Sequence, residues 1–316
     1  MKINNTEILP GENAKVKIRV GYLPSGTEIN IFAHVFRSKN EGKTALVMAG
    51  VHGDEINGVE ILRRFLEEGI FENLKSGNVI VVPLLNVFGF INFSRDVPDG
   101  KDVNRSFPGN SKGSLASRVA RKLTKSILPL VDFGIDLHTG GDSRYNYPQI
   151  RYTKEDAAGK ELAVAFNAPL TITRPRILHS LRKVAGEMKI PVIVFEGGES
   201  KRLDGYSIEQ GTQGIKNVLM HFGLLEAVPL VEKKDSLLVN RTSWIRADDA
   251  GLFIWAKSSG CHIKKGEILG VIKDVHGSKT INVLAKADGV IVGHNNAPVV
   301  NSGDALFHVG YFDKQN

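Results

Sequence analysis

One cysteine, Cys261, stands among 316 residues, so no disulfide can close within the chain and a reducing compartment suits it. No apolar run approaches the roughly 20 residues that a membrane helix needs. The opening residues, Met1 to Glu7, lack the apolar stretch of a secretory signal, and a cytoplasmic protein with no membrane partner is expected. Basic runs of five or more are also missing, as is any basic stretch interleaved with aromatics, although the formal charge is +7 and the pI about 9.3. A scattered basic excess argues against nucleic acid as a partner. It suits a small anionic substrate gripped by a few placed arginines. Hydrophobic content of 42% and charged content of 24% are ordinary for a globular protein, long enough for one large domain or two unequal ones.

What is present alternates. Strands are expected over 27–36, 44–49, 78–85, 133–137 and 191–195, and helices over 58–68, 114–130, 154–166, 180–188 and 207–222. This is the signature of an α/β layered domain, and it ends near residue 230. Residues 227–235, with Pro229 and a charged cluster, read as a connector. From 236 to 316 the chain turns to short β-runs punctuated by glycine. A weak repeat relates Gly251–Ile254 and Lys265–Val271 to Gly289–Val292 and Ser302–Val309, which suggests a small all-β barrel or sandwich.

The chemistry gathers where strands stop. Thr44–Gly50 runs into Val51-His52-Gly53-Asp54-Glu55, and Phe133–Leu137 runs into His138-Thr139-Gly140. Loops at the carboxyl ends of such strands are where open α/β sheets bind ligands. An imidazole and a carboxylate three residues apart, joined by a second imidazole, form a catalytic zinc set with one position left for water. A third apolar run, Val192–Phe195, stops at Glu196 and two glycines. A carboxylate at the end of a buried strand is costly unless paired or functional. Residues 92–109 are dense in turn formers and place Arg95 and Arg105 ten residues apart, suited to an oxyanion and a carboxylate. Asp136 shares the strand face of His138 and either supports it or only buries a hydrogen bond. Arg144, Tyr145, Tyr147 and Arg151 line a pocket or lie exposed, with equal weight. His34, His179, His221, His262, His276, His294 and His308 lack a ligand-like neighbourhood and are expected to be structural.

Taken in order, G-x-H-G-D-E, D-x-N-R-x-F-P-G, D-L-H-T-G and F-E-G-G resemble the succinylglutamate desuccinylase/aspartoacylase branch of the zinc carboxypeptidase superfamily. The resemblance covers about 45–225. It implies a mixed sheet flanked by helices, one zinc ion on His52, Glu55 and His138, and Glu196 as general base. It further implies Arg95 at the oxyanion, Asn104 and Arg105 on a substrate carboxylate, and Asp102 orienting a metal-bound histidine. The tail resembles biotinyl- and lipoyl-carrier domains. Neither Met-Lys-Met nor Asp-Lys-Ala occurs near Lys279, so a structural accessory domain is expected there and no attached group.

The expected activity is hydrolysis of an N-acyl amino acid, or a similar small amide, by water activated at zinc. A carboxypeptidase acting on short peptides would use the same metal site. A non-catalytic zinc-stabilised protein is disfavoured, because closed structural sites are usually rich in cysteine. Association into a homo-oligomer stays open.

Overall fold

A computed structural model describes residues 1–227 and 236–312. Its main elements are β1 (Asn13–Tyr22), β2 (Glu28–Arg37), β3 (Thr44–Ala49), α1 (Asn57–Glu67), β4 (Asn78–Val82), α2 (Leu115–Ser126), β5 (Phe133–Gly140) and β6 (Arg144–Tyr152). There follow α3 (Ala157–Phe166), β7 (Leu170–Thr173), α4 (Leu181–Glu187), β8 (Val192–Glu199) and α5 (Gly205–His221). The C-terminal strands are β9 (Leu237–Val239), β10 (Arg241–Arg246), β11 (Gly251–Trp255), β12 (Ile268–Lys273), β13 (Thr280–Leu284), β14 (Gly289–Asn295) and β15 (Ala305–Tyr311). Among the described residues no helix is long and apolar enough to cross a membrane.

The strands of the large sheet run in the order β10-β15-β14-β6-β8-β5-β3-β4-β2-β1, with β7 and β9 paired to one side of β6. Its centre, β8-β5-β3-β4, is parallel, so these four strands deliver their carboxyl ends to one edge. Every residue of β3 and β5 is buried, as expected for strands covered on both faces. Alternation sorts their side chains. Val47, Ile135, Leu137, Ile193 and Phe195 pack beneath α1, α3 and α5. Leu46, Met48, Ile80, Val82 and Val192 face the other way, toward α2 and α4. Asp136 and His138 share that second face and lie where the apolar layer gives out.

Four helices begin at a side-chain cap: Ser114, Asp156, Ser180 and Asp204 each accept a backbone N–H three residues on. The Asp156 cap starts α3 later than the pattern suggested. The helix expected over 114–130 ends at Ser126, and Pro129 falls in the separate turn Leu128–Leu130. β5 and β8 outrun their expected ends, so His138 and Glu196 sit inside strands rather than on loops. β1, β6 and β7 add strands where none was expected.

The strands after residue 236 divide. β14 pairs with β6 through Gly293–Asn146, His294–Tyr145 and Asn295–Arg144, and with β15 and β10 it prolongs the large sheet. β11, β12, β13 and Val299–Val300 form a second sheet over a core containing Phe253, Leu269 and Phe307. The repeat seen in the sequence thus corresponds to β11/β12 and β14/β15. The expected connector lies, from residue 228 on, outside the described residues. Lys279 sits beside β13, its ammonium ion-paired with Asp249.

Backbone proximity fixes the loop after β3. A Cβ on Gly53 would stand 2.0 Å from the carbonyl carbon of Gly89, in the short helix Val87–Ile91. No side chain fits without moving one of the two backbones. Gly53→Ala is therefore expected to lower stability by about 1–3 kcal/mol, the usual cost of overpacking. Gly205→Ala, where a Cβ meets nothing within 4 Å, should change it by under about 0.5 kcal/mol. Thermal unfolding of the two variants beside the parent checks this.

Candidate metal centre

His52 and Glu55 occupy the turn after β3, and His138 projects from the neighbouring β5; all three are at most 5% exposed. The Glu55 carboxylate lies between the two rings, Oε1 2.7 Å from His52 Nδ1 and Oε2 2.9 Å from His138 Nδ1. The two Nδ1 atoms are 3.3 Å apart. Each far ring nitrogen meets an aspartate: His52 Nε2 is 3.2 Å from Asp102 Oδ1, and His138 Nε2 is 2.9 Å from Asp136 Oδ2. An ionised carboxylate only accepts, so each Nε2 carries a hydrogen toward its aspartate, and with a cation bound each Nδ1 would turn its lone pair inward.

Two lone pairs and an anionic oxygen then converge in a dry space. Such a cluster is unfavourable unless a cation sits among them. The titration tendencies agree. Burial works against charge on His138, yet Asp136 and Glu55 outweigh it and raise its pKa well above the usual value. Burial likewise opposes the Glu55 charge, but His52 and His138 hold that pKa well below the carboxylate range. Tetrahedral ligands at about 2.0–2.1 Å from zinc stand about 3.3–3.4 Å apart, which matches the Nδ1 separation. Two imidazoles and one carboxylate without a thiolate fit a divalent ion of the zinc type.

The other expected residues surround this centre. Arg95 places Nη1 3.3 Å from Glu55 Oε1 and donates through Nη2 to Asp102 Oδ2 at 2.9 Å. Burial resists ionisation of Asp102, but His52 and Arg95 hold its pKa well below the usual range. Asn104 Oδ1 accepts the N–H of Leu181 at 3.0 Å, tying the loop to the start of α4. Arg105 is exposed and lines the cavity above the centre. Glu196 on β8 is in register with His138 on β5. Its Oε2 accepts from Asn146 Nδ2 and its Oε1 from Arg151 Nη1, both at 2.8 Å. All of them except Asp102 line one cavity of about 500 Å3.

Residues 41–222 match the model of the succinylglutamate desuccinylase/aspartoacylase catalytic domain. The chain belongs to the succinylglutamate desuccinylase/aspartoacylase family. It is 28% identical over 283 residues to N-alpha-acetyl-L-2,4-diaminobutyric acid deacetylase of Halomonas elongata, covering 85% of this chain and 82% of that protein. The product-bound ectoine utilization protein EutE (DoeB) of Ruegeria pomeroyi superposes with a TM-score of 0.84 at 24% identity, over 95% of both chains. A succinylglutamate desuccinylase/aspartoacylase of Rhodobacter sphaeroides does so with 0.83 at 25% identity, over 96% of both.

Around the family's motifs the cavity has further walls, of which the sequence offered Arg144 and Arg151 as pocket-lining or exposed and left Asn146, Arg174, Arg182, Trp244 and His308 unmarked. Asn146 and Arg151 hold Glu196 from β6, a strand disguised by Pro148. That proline sits where the β6–β8 register shifts and no N–H is required of it. Arg144 and Arg151 line the cavity. Tyr145 instead stacks on His294, and Tyr147 bonds Tyr206 through their hydroxyls. Arg174 and Arg182 also reach the cavity, as do Trp244 and His308 from the C-terminal strands. His308, expected to be merely structural, is thus part of the site's wall. The partners of both imidazoles give a direct test. Asp136→Asn is expected to weaken divalent-metal affinity about 10–100-fold, the usual effect of losing such a partner, and His138→Ala to bring bound metal close to zero. Competition titration with a chromogenic chelator measures both.

Proposed function

We propose that the protein is a zinc-dependent deacylase that hydrolyses the amide bond of an N-acyl amino acid. The observation that carries this is the register of Glu196 beside His138, which sets a carboxylate next to the metal ligands in one small cavity. A volume of about 500 Å3 lies within the range of small-molecule sites. A divalent ion on His52, Glu55 and His138 would supply Lewis acidity to the amide carbonyl and to the attacking water.

The rest is work for side chains. Glu196 takes a proton from the attacking water and returns it to the amide nitrogen, since an amine leaves poorly unless protonated. Asn146 and Arg151 fix the direction of that carboxylate, one on each oxygen. Arg95 adds positive charge beside Glu55, where negative charge develops on the carbonyl oxygen. Arg105, whose Nη1 donates to Asn104 O at 2.9 Å, has its remaining donors to grip the carboxylate of the amino acid, and Asn104 keeps its loop against α4. In this reading residues 1–230 carry the chemistry. Residues 236–312 form an accessory β-rich unit that narrows the cavity through Trp244 and His308, which favours small substrates over peptides.

A panel of N-acetyl, N-succinyl and N-formyl amino acids beside short peptides, offered to the zinc-loaded protein, tests the assignment. Release of free amino acid from the acylated set is expected. Cleavage of peptides alone would make the protein a peptidase instead. Glu196→Gln should keep its metal and lose about 10²–10⁴-fold in kcat. An unchanged kcat would remove Glu196 from the chemistry.

A further inference from the structure

The strand that carries Glu196 loses its regular ladder immediately after that residue. The register of β8 shifts against β5 between Glu196 and Glu199, and against β6 between Glu196 and Gly198. Gly197, Gly198, Glu199 and Ser200 are nonetheless buried. Backbone groups released by such a bulge have to find partners outside the ladder.

One side chain serves two of them. Asn57 Nδ2 donates to Gly197 O at 3.1 Å, and Asn57 Oδ1 accepts the N–H of Asp204 at 3.0 Å. A carbonyl only accepts and a backbone N–H only donates, so these partners settle the orientation of the amide. Asp204 in turn caps α5, its Oδ1 accepting from Ser207 N at 2.7 Å. The Asn57 amide therefore grips the connection 197–204 at both ends, across 140 and 147 positions of sequence. Asn57 is 1% exposed and opens α1, two residues after Glu55. Asparagine is a poor helix former that usually serves as a cap. Here α1 starts without a side-chain cap, and both bonds of the Asn57 amide leave the helix. Backbone bonds strengthen the same clamp. Lys201 N donates to Asp54 O at 2.7 Å, within the ligand turn, and Ser200 N to Gly140 O at 2.8 Å, at the end of the strand that bears His138.

We propose that Asn57 is a positioning residue: by bridging Gly197 and Asp204 it fixes the backbone of Glu196 against the turn that carries His52 and Glu55. The general base is then held twice, its carboxylate by Asn146 and Arg151 and its backbone by Asn57. The inference rests on the deacylase reading, in which the placement of that carboxylate relative to the metal ligands governs the rate. Truncating Asn57 leaves a buried carbonyl and a buried N–H without their partner, and the bulge relaxes away from the ligand turn. A misplacement of about 1 Å between reacting groups can cost about 10²-fold in rate.

The test expresses turnover per bound metal, so that unfolded protein does not count. Asn57→Ala should lower kcat about 10–100-fold and leave KM unchanged. Asn57→Ser keeps a hydroxyl that can donate to Gly197 O; it should lose less, and it takes the place of Asn57→Ala if that variant does not fold. The visible spectrum of the cobalt-loaded protein should be the same in parent and variant, because His52, Glu55 and His138 stay where they are. A double-mutant cycle with Glu196→Gln is the deciding measurement. If Asn57 acts through Glu196, Asn57→Ala should lower the residual kcat of Glu196→Gln by less than about twofold. A merely structural residue would lower both backgrounds by the same factor. Equal losses in the two backgrounds, a parental kcat in Asn57→Ala, or an altered cobalt spectrum would overturn the proposal. Hydrogen exchange supplies a readout independent of turnover: amides of 197–204 should exchange faster in Asn57→Ala, and those of 133–138 should not. That pattern in a protein that cleaves no N-acyl amino acid would leave the bridge standing and dismiss the deacylase reading alone.

Discussion

Three electron-rich atoms forced into one dry space govern this structure. The hydrogens on Nε2 of His52 and His138 point outward to Asp102 and Asp136, so their inner nitrogens face Glu55 and each other, with the Arg95 guanidinium at one side, Nη1 3.2 Å from His52 Nδ1. Folding without a cation there must either protonate the cluster or accept the repulsion. The surroundings support the arrangement. Asp102 is itself held by Arg95 and by the N–H of Asn104, and Asp136 is built into a wholly buried strand.

The sheet converts this local demand into a working geometry. Parallel pairing puts the ends of β3, β5 and β8 at one edge, and the β5–β8 register sets Glu196 beside His138 without any long-range loop. A bulge in β8 after Glu196 then turns the chain. Gly198 is at φ +78°, and a Cβ there would stand 2.3 Å from the side-chain nitrogen of Asn57, whose amide donates to Gly197 O. Gly198 of the F-E-G-G motif is thus a backbone requirement of the strand that carries the carboxylate, whereas a Cβ on Gly197 would crowd the Phe195 ring, 2.8 Å from its Cζ.

Much of this was legible in the residues. Continuous apolar runs identify β3, β5 and β8 because strands buried on both faces have no polar side to show. The cluster of His52, Glu55 and His138 follows because its polar donors interrupt or succeed those runs at their carboxyl ends. The supporting wall was legible only in part. Pro148 and a mixed aromatic-polar composition hide β6, and Asn146 with it, while Arg144 and Arg151 stood as pocket-lining or exposed with equal weight. Arg174 and His308 meet across more than 130 positions, a contact set by the pairing of β9 with β7 and of β10 and β14 with β15. Local pattern carries no trace of such a contact, so His308 looked like any other histidine.

The pairing of β14 with β6 also bears on how the two parts of the chain depend on each other. A fragment ending near residue 227 would leave one flank of β6 with open amides and carbonyls at Arg144, Tyr145 and Asn146. Raw β-edges recruit foreign strands, and slippage there would carry Asn146 away from the carboxylate it steadies. The C-terminal strands therefore act as a splint on the strand that braces Glu196, and removing them would strip the catalytic half of a neighbour it is folded to expect.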